Sequence, residues 1–92
     1  MLFKLGETVM TRGIGEAMEH DNNFRGEVLK SFERYVSGDW GNLGAEDKKM
    51  NDEAIKNNDD RILAKYETSN RPIYIITEWD RSYTTIMFCD EY

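Results

Sequence analysis

Residues 72–89, PIYIITEWDRSYTTIMFC, decide the fold. Two runs rich in β-branched and aromatic residues flank the polar break Asp80-Arg81-Ser82, the pattern of a β-hairpin. With Trp79 facing Tyr83 across the turn, Thr77 pairs with Thr85, Ile75 with Met87 and Ile73 with Cys89. Tyr74, Ile76, Ile86 and Phe88 then share the second face with Glu78 and Thr84. Both faces are strongly apolar, which places the hairpin in the middle of a sheet. An unusual density of polar side chains lies on and beside its turn: Thr77, Glu78, Asp80, Arg81, Thr84 and Thr85.

Upstream of the hairpin, 61–67 reads as a strand and 68–71 as the turn before Pro72. Ala45 to Asn57 reads as a helix of poor amphipathicity. Leu43, Met50, Ala54 and Ile55 define its inner side, yet Asp47, Asn51 and Asn58 project within the same sector. A buried polar group without a partner costs about 1–3 kcal/mol. Either that face is only partly covered, or those side chains join a network with Arg81 and the Thr/Glu set of the hairpin. The firmest helix follows Asp21-Asn22-Asn23, whose short side chains can accept the free first-turn amides. Phe24, Val28, Leu29, Phe32, Tyr35 and Val36 recur on one face, with Glu27, Lys30, Glu33 and Arg34 opposite. Gly38 stands where a helix end favours positive φ. Nearer the start, 7–11 reads as a strand, Thr11-Arg12-Gly13 as a turn and 14–20 as a short helix. The expectation is a single α+β domain over 1–92. It has an antiparallel sheet, built from a short N-terminal strand and three C-terminal strands, with about three helices packed on one side.

The chain has 92 residues, enough for one core, and two Trp, five Tyr and four Phe to fill it. Acids outnumber bases 18 to 12, for a net charge of −6. That balance works against gripping the DNA backbone and favours basic partners. Cys89 is alone, so neither a disulfide framework nor a thiolate metal site is expected. The opening MLFKLGE is too soon interrupted by charge for a signal peptide, and no run reaches the ~18 apolar residues of a membrane span. A cytoplasmic protein with no membrane contact is the expectation.

Reactive chemistry finds little support. His20 is the only histidine and has no ligand spacing around it, so no metal and no cofactor are expected. Alternation would place Glu78 and Asp80 on one side of the strand, where like charges could raise one pKa, but Arg81 beside them can neutralise both. Cys89 has no base near it in sequence. The loop Gly38-Asp39-Trp40-Gly41-Asn42-Leu43-Gly44 lacks the strand and Lys-Ser/Thr of a phosphate cradle, so Trp40 reads as a lid on the core. Tyr74, Trp79 and Tyr83 could stack bases, but few Lys or Arg interleave with them. No catalytic residue is singled out.

Several elements together resemble a family of small "plasmid-related" proteins from bacterial plasmids, integrative elements and phages. They are Gly38-Asp39-Trp40-Gly41, Glu46-Asp47-Lys48 with Asn51, Ile75-Ile76-Thr77-Glu78, Asp80-Arg81-Ser82 with Thr84-Thr85, and the terminal Glu91-Tyr92. The likeness spans nearly the whole chain, with Trp79 in place of a small residue and Cys89 in place of proline. It implies company with genes that blunt host defence, and hence an anti-CRISPR or antirestriction role exercised by direct protein binding. The expected partner is a host defence protein or ribonucleoprotein with a basic groove. The residues expected to meet it are Asp39, Trp40, Asp47, Asn51, Glu78, Trp79, Asp80 and Arg81, with no direct nucleic-acid contact, from a monomer or dimer. Two alternatives stand beside this: a small enzyme using Asp47, Asn51, Glu78, Asp80 and Arg81, and an antitoxin-like regulatory partner of another element protein.

Overall fold

The first two helices begin where a side chain can receive their free amides. In the computed structural model, which describes residues 2–92, Thr11 accepts from the Ile14 amide at 3.3 Å and starts α1 (Arg12–His20). The turn expected at Thr11-Arg12-Gly13 is therefore the first turn of that helix. Asp21 accepts from the Asn23 and Phe24 amides and starts α2 (Asn22–Val36). Gly38, at φ +87, ends the segment as the sequence suggests. The third helix, α3 (Ala45–Asn57), ends at Asn58 in the left-handed region.

The strands are β1 (Glu7–Met10), β2 (Ile62–Tyr66), β3 (Ile73–Thr77) and β4 (Tyr83–Phe88), followed by a 3₁₀ turn at Cys89–Glu91. They form one sheet in the order β1-β4-β3-β2, so the hairpin is central as its two apolar faces imply. The sheet is mixed. β2, β3 and β4 are antiparallel neighbours, but β1 runs parallel to β4, Glu7 against Tyr83 through Met10 against Ile86. Three helices and two strands lie between β1 and β4, ample length to bring the chain back in the same direction.

The hairpin register differs by one residue from the sequence expectation. Thr77 pairs with Thr84, Ile75 with Ile86 and Ile73 with Phe88. The Glu78 amide donates to the Tyr83 carbonyl at 3.1 Å, leaving Trp79–Ser82 as a four-residue loop. Within it the Arg81 amide closes a turn on the Glu78 carbonyl at 2.9 Å, and Arg81 takes φ +60. A one-residue slip moves side chains across the sheet. Ile73, Ile75, Thr77, Thr84, Ile86 and Phe88 consequently share the helix-facing side, while Tyr74, Ile76, Thr85 and Met87 share the other.

Phe24, Val28 and Tyr35 of α2 and Ile14 of α1 meet that inner side, and Ala54 of α3 completes the cluster. Phe3 and Trp40 close it from the loops, each edge-on or tilted to Tyr35 at 5.4 and 5.6 Å between ring centres. Leu29 and Met50, assigned to apolar stripes by spacing, are instead more than half exposed. No helix among the described residues is long and apolar enough to cross a membrane.

Candidate functional site

Arg81 organises the tip of the hairpin. Its Nη1 donates to the carbonyls of Asp60 (2.6 Å), Glu78 (3.1 Å) and Trp79 (3.2 Å). Its Nη2 donates to those of Ala54 and Asp59, both at 3.1 Å. Ala54, Asp59 and Asp60 belong to the end of α3 and the coil beyond it, where a helix exposes carbonyls and favours a cation. A planar fork suits this task as a point charge could not. The remaining Nε is buried without a partner. The guanidinium thus bolts the turn to α3 and holds Arg81 in a backbone conformation few residues adopt.

The consequence is a rigid projection. Trp79 is 67% exposed at its end, an unusual position for so large an apolar ring. Glu78 and Asp80 flank it in sequence, and the Arg81 contacts draw Asp59 and Asp60 against the same turn. Asp80 accepts from the Ser82 amide at 3.0 Å, and Ser82 holds its carboxyl below the usual range, so it stays ionised at neutral pH. Tyr83, at the foot of the turn, is about half exposed.

The other expected site residues lie elsewhere. Asp39 receives the Arg34 guanidinium at 2.7 and 3.1 Å and the Gly41 amide at 3.1 Å. Trp40 is buried in the core, its indole N–H donating to Asp52 at 3.0 Å. Asn51 is buried and pairs with the backbone of Leu63, donating to its carbonyl at 2.8 Å and accepting from its amide at 3.1 Å. On the polar face of α3, Asn51 is therefore satisfied by β2 and not by the hairpin's Thr/Glu set, while Asp47 and Asn58 stay exposed. Asp47 and Asn51 line one cleft of about 250 Å³ with Leu43, Met50, Leu63 and Tyr74, but Glu78, Asp80 and Arg81 do not reach it. The set assigned to the enzyme alternative does not converge. The donors of Asn51 and the Nη groups of Arg81 are bound to backbone carbonyls. His20 is an exposed helix end, and among the described residues no three His, Cys, Asp or Glu group to hold a metal ion. Burial pushes the Cys89 thiol up, away from the reactive thiolate.

Sequence reasoning noted Thr77 and Thr84 but missed what joins them. Tyr35 Oη lies 2.7 Å from Thr77 Oγ1, which lies 2.7 Å from Thr84 Oγ1, which donates to the Leu5 carbonyl at 2.7 Å. Three hydroxyl protons serve three short bonds in the order Tyr35, Thr77, Thr84, Leu5. The fourth contact, Tyr35 to the Ile62 carbonyl, is correspondingly long at 3.3 Å. This chain ties α2, the hairpin and the N-terminal segment together inside the core. Only the correct register brings the two threonines face to face.

No family model matches the chain, and no curated protein or solved structure matches it.

Proposed function

We propose that this chain is a non-enzymatic inhibitor that acts by docking its acidic, tryptophan-tipped hairpin into a basic groove of a cytoplasmic protein or ribonucleoprotein that targets nucleic acid. The observation that carries the reading is Trp79, 67% exposed on a turn that Arg81 fixes through five carbonyl contacts. An aromatic ring on a rigid support gives up little conformational freedom on binding, and tryptophan is prominent among residues that dominate interfaces. The carboxylates of Asp59, Asp60, Glu78 and Asp80 complement a surface shaped for phosphates, and the net charge of −6 steers approach. The resemblance to small proteins of mobile elements supplies the target class, a host defence complex, and so an anti-CRISPR or antirestriction role.

Tagged protein should recover its target from cells with intact defence systems, with less recovered as salt rises. Trp79→Ala should weaken that complex by about 2 kcal/mol, roughly thirtyfold. Neutralising Asp59, Asp60, Glu78 and Asp80 together should flatten the salt dependence. Recovery of no target in any salt, or full affinity in Trp79→Ala, would rule the reading out.

A further inference from the structure

The two edges of the sheet are finished differently. At the β2 edge the outward groups of Leu63 and Lys65 are all occupied. Asn51 takes both groups of Leu63, the Lys65 amide donates to Trp40 at 3.2 Å, and the Lys65 carbonyl accepts from Asn42 at 2.7 Å. At the β1 edge nothing comparable exists. Its bonds to β4 run from the Glu7 amide to Ser82 (3.1 Å) and from the Thr11 amide to Ile86 (3.0 Å). With the parallel register this makes Glu7, Val9 and Thr11 the inward-bonding residues. Thr8 and Met10 therefore aim their N–H and C=O groups away from the sheet, without partners among the described residues. All four β1 residues are exposed, Val9 by 38% and Met10 by 47%. Such an edge is a template for another strand.

We propose that this edge is a homodimer interface, in which β1 of two copies pairs antiparallel about a two-fold axis at Val9 and joins two four-stranded sheets into one. The inference is independent of the Trp79 reading. The register follows from the backbone. Antiparallel residues exchange bonds only when both point outward, so Thr8 must meet Thr8, Met10 or another outward residue of the second copy. Thr8 against Thr8 would set Met10 opposite Gly6, whose φ of +65 takes it out of the strand. Met10 against Met10 would set Thr8 opposite Arg12, which already belongs to α1. Thr8 against Met10 places every outward group on another and sets the two Val9 side chains against each other. Glu7 then falls opposite Thr11 and beside Arg12 of the second copy, whose guanidinium holds Glu16 at 3.0 Å through Nε and, 91% exposed, can take a second carboxylate. Opposite charges meet twice, and because the pairing is isologous the assembly closes at two.

Sedimentation equilibrium should show the mass rising with concentration toward twice the 10.8 kDa chain. Thr8→Pro removes one outward N–H from each copy and no bond to β4. It should weaken dimerisation by roughly tenfold or more while the dilute chain unfolds at an unchanged temperature. In a Cys89→Ser background, Val9→Cys should oxidise readily to a covalent dimer, since facing residues of this kind lie about 4.5 Å apart at Cα. Lys30→Cys, on α2, should not. A monomer at every concentration, a dimer undiminished in folded Thr8→Pro, or Val9→Cys linking no faster than Lys30→Cys would each overturn the proposal. The cross-linking result decides even if Thr8→Pro fails to fold.

Discussion

At the scale of single residues, Arg81 has two opposed effects on stability. Its φ of +60 is strained for a residue with a Cβ, costing about 1 kcal/mol, while its guanidinium supplies five carbonyls that otherwise face each other or solvent. Charged hydrogen bonds contribute about 1.5–3 kcal/mol where they are well formed, and the partial exposure of this group favours the lower end. Arg81→Ala should therefore destabilise the protein by about 2–3 kcal/mol, read as a fall in the urea midpoint. Arg81→Gly removes the strain along with the staple and should recover about 1 kcal/mol of that loss. Arg81→Lys should recover little, because one ammonium cannot reach carbonyls on both sides of the turn. Equal midpoints for the alanine and glycine variants would show that the backbone conformation carries no strain.

At the scale of elements, the closure of β2 is what permits a helix as polar as α3 to pack at all. Asn51 presents a donor and an acceptor to Leu63 as a neighbouring strand would, and Gly41 brings the Trp40 loop onto Lys65 so closely that a Cβ there would lie 2.1 Å from the Lys65 carbonyl. Asn51→Leu should strand both backbone groups of Leu63 and destabilise by about 2–4 kcal/mol, with hydrogen exchange at Leu63 rising more than at Ile75 in the central strand. Uniform acceleration across the sheet would mean that Asn51 supports the whole core and not this edge. These cases mark what the chain makes legible. The Asp21 cap, the Phe24–Val28–Tyr35 stripe and the apolar runs of β3 and β4 are local patterns, and each is found where its pattern lies. The hairpin register is not local, because the loop length depends on Arg81 holding positive φ through contacts with α3. The parallel pairing of β1 also leaves no trace in residues 7–10. Of the candidate site, Glu78, Trp79 and Asp80 could be picked out from the turn, whereas Asp59 and Asp60 join them only through a contact that crosses 21 residues of chain.

At the scale of the whole molecule, one cluster at the root of the Trp40 loop contributes to both limits of the pH range of stability. Arg34 grips the Asp39 carboxylate and lies over the Tyr66 ring at 5.0 Å, while Tyr66 donates its phenol to the Asp39 carbonyl at 2.7 Å. The Arg34 hydrogen bond, aided by the Gly41 amide, holds the Asp39 carboxyl below its ordinary value. A depressed carboxyl stabilises the native state above the unfolded value of about 3.9, and that contribution disappears as pH falls through the native value. Burial raises the phenols of Tyr35 and Tyr66. A raised phenol stabilises the native state below the unfolded value of about 10, and the contribution is lost as pH climbs beyond it toward the native value. The melting temperature should accordingly be level from about pH 5 to 9 and fall on both sides. In a Trp79→Phe background the remaining tryptophan, Trp40, reports this loop directly. Asp39→Asn should lower the plateau but flatten the acid limb, and Tyr66→Phe should flatten part of the alkaline limb alone. An acid limb in Asp39→Asn that superimposes on the parent's would move the acid sensitivity to other carboxylates and leave the Arg34–Asp39 pair a merely local contact.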